Sequence, residues 1–174
     1  MAQASGNSVL KSVILAALTA GLVGLSVSGA VQASPENYPF LSLTRAMQES
    51  AQKNRPMFLY FGRHGCSTCL KMHAEVFTDP GLRKTLSENF VLAYVDTESA
   101  KRIRLPSGER TTEMQFAARS RILGTPTFVY FSAGQQPLFT RVGFQTIGQM
   151  QAYSDFVLGG HYRDTTLQQF LGAR

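Results

Sequence analysis

Across 174 residues the chain has only two cysteines, Cys66 and Cys69. That scarcity excludes the many-bridged framework of a small secreted domain, in which several pairs close long loops. It also starves a zinc site, because a structural site wants four ligands. Cys66, Cys69 and His73 form C-x2-C-x3-H with His64 nearby, but both histidines would have to fold inward, and His73 is expected on a helix surface. The histidine of a C-x-x-C-H haem-attachment motif is missing, since Leu70 stands in its place. Charge is sparse as well: 16 % of residues are charged, and no run of five or more like charges occurs. Such a chain lacks a nucleic-acid footprint, and its scattered basic residues read as a solvated surface that suits acidic partners. There is no internal repeat.

A chain of this length suits one domain with a real core, and its 44 % hydrophobic content is that of a globular protein. The first 33 residues differ from the rest. Their only charge is Lys11, followed by the apolar run Ser12–Ala30 and then by small residues, with Val31 and Ala33 placed for a cut before Ser34. That layout predicts a secretory signal peptide over residues 1–33, a cut after Ala30 being the alternative site and an uncleaved anchor the alternative fate. Without Lys11 the remaining chain keeps 16 Lys+Arg against 11 Asp+Glu, about +5. The domain is expected over residues 34–174 and to be exported.

Hydrophobic spacing predicts a helix over about 41–53 and a buried strand over about 57–62, "MFLYFG", after Pro56. The cysteines follow, then a helix through Met72 and Val76, a second stretch capped by Asp79, and a buried strand over 90–96. Residues 97–110 are polar with Pro106 and Gly108 and read as a loop, either a solvated connector or a docking surface built on Lys101, Arg102 and Arg104. Thr111 or Thr112 opens another helix. Strands over 127–131 and 138–142 around a turn at 132–136 read as a hairpin, and an amphipathic helix ends at Gly159–Gly160. Residues 161–174 form a tail with one short helix. Phe58, Phe61, Val91, Tyr94, Phe128, Tyr130 and Phe131 are expected in the core. Strands alternating with helices imply a parallel pair with crossovers, and the closing hairpin is antiparallel, so an α/β fold with a mixed sheet and helices on both faces is expected.

A disulfide between cysteines separated by two residues constrains the unfolded chain little, because loop-closure entropy grows with loop length. A reactive pair uses the same spacing better. A cysteine at a helix start faces unpaired N–H groups and the positive end of the macrodipole, which lowers a thiol from about 8.5 into the range of about 3.5–7.5. Cys66 stands at that start, with Arg63 and His64 beside it either as added positive potential or as plain solvent-exposed residues. Cys69, one turn inward, is expected to be more buried. Cys66 is therefore the expected nucleophile and Cys69 the resolving thiol.

The order strand, Cys66-Ser67-Thr68-Cys69, helix, then Gly124-Thr125-Pro126-Thr127 before a hairpin resembles thioredoxin over about residues 40–160, with the two motifs about 57 positions apart. The segments "GCSTCLKMHAEVFTDP", "TEMQFAARSRILGTPTFVYF" and "FVLGGHYRDTTLQQFL" are similar to periplasmic thioredoxins of SoxW type, found with bacterial sulfur-oxidation systems. The resemblance implies a thioredoxin fold and dithiol–disulfide exchange on protein disulfides in the periplasm, by a monomer without a bound cofactor. It implies a cis Pro126 packed opposite the cysteines and a Thr125 backbone that pairs with an extended substrate. It further implies a reducing role, supplied with electrons by a membrane thiol transporter of DsbD or CcdA type. Contrary readings are a disulfide-inserting oxidant and a module of this fold that binds protein or metal without catalysis. Two departures stand out. The pair lacks the proline common between thioredoxin's cysteines, and Tyr60 occupies the position six residues before Cys66 where thioredoxin carries a buried acid, which leaves the proton acceptor for Cys69 without a candidate.

Overall fold

The computed structural model describes residues 34–174; the expected signal peptide lies outside them. The elements in chain order are β1 (Leu41–Ser42), α1 (Leu43–Lys53), β2 (Met57–Gly62), α2 (Ser67–Glu75), α3 (Pro80–Asn89), β3 (Val91–Asp96), β4 (Arg102–Arg104), β5 (Arg110–Thr112), α4 (Glu113–Arg119), β6 (Thr127–Phe131), β7 (Pro137–Val142), α5 (Ile147–Leu158), a 3-10 turn (His161–Arg163) and α6 (Leu167–Gly172).

Five strands form one sheet in the order β1-β3-β2-β6-β7. β2 runs parallel to β3 and antiparallel to β6, so it is covered on both edges. Every residue of β2 is buried. Its side chains alternate between faces, as a strand's must. Phe58 and Tyr60 join the core shared with α2, α3, α5 and α6, while Met57, Leu59 and Phe61 join the core under α1 and α4. A near-continuous apolar run is what a centrally placed strand with helices on both faces requires. The expected mixed sheet between helical layers is thus realised around β2.

Two expectations are corrected. The first helix begins at Leu43 rather than 41, because Leu41 and Ser42 pair with Ala93 and Tyr94 at the sheet edge. The polar stretch 97–110 is not a plain loop: Arg102–Arg104 and Arg110–Thr112 pair as an antiparallel hairpin. One face of that hairpin turns Ile103 and Thr111 inward. Lys101 lies 3.5 Å from the buried Glu113 carboxylate.

Helix starts are set by side-chain caps. Asp79 Oδ1 accepts from the Leu82 amide at 2.7 Å, and Pro80 occupies the first helical position of α3, where its missing N–H costs nothing. Thr112 with Gln115, Thr146 with Gln149 and Thr166 with Gln169 each form reciprocal capping boxes; such a cap contributes about 1 kcal/mol. In the α4 box Gln115 is the residue that reaches back to the Thr112 amide. The tail is docked rather than loose: Phe170 packs on Phe156 with ring centroids 5.3 Å apart, and Arg174 pairs with Asp155 at 2.7 Å.

Candidate active site at the start of α2

Gly65, with φ +68°, turns the chain out of β2 so that Cys66 becomes the N-cap of α2. Cys66 and Cys69 are joined in a disulfide with Cα atoms 5.2 Å apart. Cys66 Sγ accepts from the Cys69 amide at 3.1 Å and from the Thr125 hydroxyl at 3.3 Å. The Thr125 carbonyl oxygen lies 3.4 Å from the same sulfur, placed to accept an S–H once the bond is reduced. These two donors also suit a thiolate at Cys66, because hydrogen bonds to the charged form favour it.

Cys66 is 5 % exposed and Cys69 2 %. The expected order of burial is present, but the nucleophile is not an open-surface thiol: Thr125 lies against its sulfur. The Thr125–Pro126 bond is cis. The loop around it is tied down on both sides, with the Thr127 hydroxyl donating to the Gly124 carbonyl at 2.7 Å and the Gly143 amide to the Pro126 carbonyl at 2.8 Å. The contact of the Thr125 hydroxyl with sulfur was not legible in the sequence, where only its backbone carried a role.

Arg63 and His64 are both exposed. Arg63 lies 3.3 Å from Glu98, and neither residue hydrogen-bonds to a cysteine. Arg63 therefore has its charge answered by a carboxylate rather than directed at Cys66. Among the described residues no group of three or more His, Cys, Asp and Glu side chains is gathered as a metal cage.

His73 departs from its expected surface position. It is half-buried, and its Nε2 lies 2.9 Å from the hydroxyl of the fully buried Tyr60. Burial holds the His73 imidazole below its ordinary range, and burial raises the phenols of Tyr60 and Tyr94. The Tyr94 hydroxyl is buried without a hydrogen-bond partner among the described residues. A Cβ placed on Gly62 would sit 2.9 Å from that hydroxyl and 3.2 Å from the Tyr60 ring, so both tyrosines converge on a gap that only glycine leaves open.

The His73 shift sets a pH dependence. The unfolded imidazole titrates near 6.5 and the folded one lower. Between those values the unfolded chain binds the extra proton, so stability rises with pH there, is complete above about 6.5, and is lost on acidification. Urea midpoints measured from pH 7.5 down to pH 5 should fall in the wild type, and His73→Gln should flatten part of that fall; an unchanged slope would place the titration elsewhere.

A disulfide at the first turn of a helix, facing a proline loop on a mixed α/β sheet, defines a dithiol–disulfide site. The chain matches the thioredoxin-like domain family over residues 43–158 and belongs to that family. Among solved structures it is similar to a thioredoxin-fold protein from Helicobacter pylori, with 24 % identity, a TM-score of 0.61, and 70 % of this chain and 82 % of that one covered. A thioredoxin from Thermus thermophilus shares 25 % identity with a TM-score of 0.57, over 70 % of this chain and 87 % of that one. Mouse spermatogenesis-associated protein 20 is 29 % identical over 113 residues, 59 % of this chain. The match spans 14 % of that relative's length. The fold and the close cysteine pair support thiol–disulfide oxidoreductase activity in general.

Proposed function

We propose that this chain is an exported reductant of protein disulfides, acting through Cys66 and Cys69. The observation that carries the reading is the pair's placement, with Cys66 at the N-cap of α2, held by the Cys69 amide and the Thr125 hydroxyl. Reduced Cys66 attacks one sulfur of a substrate disulfide and releases the other as a thiol. Cys69 then attacks Cys66, and the second substrate thiol leaves. Two electrons pass to the substrate, and the protein ends as the disulfide seen here.

An extended substrate strand suits the Thr125 backbone beside Cys66, and Leu70, Leu123 and Val142 supply exposed apolar side chains on the segments flanking the cysteines and the proline loop. The apolar N-terminal run supports export with cleavage before Ser34. Likeness to SoxW-type proteins supports the reducing direction, a role in sulfur oxidation, and recharging by a membrane thiol transporter of DsbD or CcdA type. Equilibration of the Cys66–Cys69 pair against glutathione tests the direction. A potential near about −270 mV is expected of a reductant, and one near about −120 mV would make the protein an oxidant. Absence of any turnover in disulfide reduction would leave only a binding module.

A further inference from the structure

We propose that His73 is the base that takes the proton from Cys69 in the resolving step, with Tyr60 holding the imidazole in position; this deepens the reading above and rests on it. Cys69 and His73 are four residues apart on α2 and so share one face, about 5–6 Å apart at Cβ. Helical side chains lean toward the N-terminus, so the His73 ring leans over the turn that carries Cys69. At that separation the proton passes directly or through one water.

The Cys69 thiol needs such a partner. It is 2 % exposed, so bulk water is a poor acceptor. The only buried carboxylate among the described residues is Glu113, which opens α4 on the opposite face of the sheet and faces Lys101. His73 is surrounded as a base should be. From β2 it meets Tyr60, behind which Tyr94 of β3 packs edge-on at 5.3 Å, and from the turn that follows α2 it meets Phe77. Lys71 and Glu75, on its flanks, lie 4.0 Å from each other and are exposed. Of the lead-in residues, Tyr38 and Phe40 reach Phe77 and Tyr60 rather than the imidazole.

Burial keeps His73 neutral near neutral pH, and burial keeps the Tyr60 phenol protonated, so of the two the imidazole is the acceptor and Tyr60 a positioning residue. With Nε2 bonded to Tyr60, Nδ1 has no other protein partner among the described residues. In the step, the Cys69 S–H bond breaks and its proton moves to His73. The thiolate attacks Cys66 Sγ, the Cys66–Cys69 bond forms, and the bond from Cys66 to the substrate sulfur breaks. The electron pair leaves on that sulfur, which is protonated from solvent.

The test uses reduced full-length protein and oxidised glutathione, with acid quenching and mass spectrometry to follow formation and decay of the glutathione adduct on Cys66. In His73→Gln, decay should slow by about 10²-fold at pH about 6.5, the low end of the range for general acid–base catalysis, while adduct formation is unchanged. The deficit should shrink as pH rises past about 8.5, where thiols ionise unaided. Tyr60→Phe, which keeps the ring and loses the hydroxyl, should slow decay by a smaller factor with the same pH trend, and it serves alone if the His73 variant does not fold. Unchanged decay, or slowing by one factor at every pH, would overturn the assignment while leaving the exchange reading intact. A wild type that forms no adduct would overturn both.

Discussion

Cys69→Ser should convert a transient encounter into a covalent complex. The substitution leaves Cys66 with its N-cap position and its Thr125 donor, so attack on a partner disulfide proceeds. A serine hydroxyl is ionised far too little near neutral pH to displace a thiolate, so the mixed disulfide has no internal exit. On a non-reducing gel the protein should run as higher-mass bands that collapse on reduction, and turnover should be lost. Cys66→Ser should trap little, because Cys69 is the deeper sulfur and lacks those donors. Equal trapping by the two variants would refute the assigned roles. The captured partner also tests the reducing role, since a substrate of a reductant carries a disulfide before capture.

Phe58→Ala should remove a large part of the total stability. Phe58 is fully buried on the central strand, stacked on Phe128 at 5.7 Å and meeting Tyr130 edge-on at 5.0 Å. Truncation loses the ring's transfer free energy and leaves a cavity that the paired strands cannot collapse to fill. The expected loss is about 3–5 kcal/mol, against a total of about 5–15 kcal/mol for such a domain. Leu123→Ala is the matched control: its side chain is 98 % exposed, and the change should stay within about 0.5 kcal/mol. Urea unfolding with an unchanged slope would read both values. A Phe58 loss below about 1 kcal/mol would mean that this core is not closely packed.

What could be read in advance follows the range over which each feature is determined. The buried strand at Met57–Gly62 was legible because both its faces are covered, which writes apolar residues at consecutive positions. The hairpin at Arg102–Thr112 was not, because only Ile103 and Thr111 turn inward from two strands of three residues, too few to show a period. The edge strand at Leu41–Ser42 is too short to show any period. Within the site, the cysteine pair and the Thr125-Pro126 loop could be placed from spacing and resemblance. The Tyr60–His73 contact could not, since it depends on how α2 settles over β2. The retrievable signal was the four-residue step from Cys69 to His73, which puts both on one helical face. Arg63 shows the converse: nearness to Cys66 in sequence left added positive potential and plain exposure both open, and the exposed side chain turns to Glu98.

Tyr60 gives the site its own optical reporter. The chain contains no tryptophan, so its near-ultraviolet spectrum belongs chiefly to tyrosine. Tyr60 is fixed among Phe77, Phe128 and Tyr94, with its hydroxyl bonded to a ring on the same helix as the cysteines. A chromophore held in so asymmetric a setting contributes strongly to near-ultraviolet circular dichroism. Opening and closing of the Cys66–Cys69 bond is therefore expected to register there without a label, through a fully buried tyrosine.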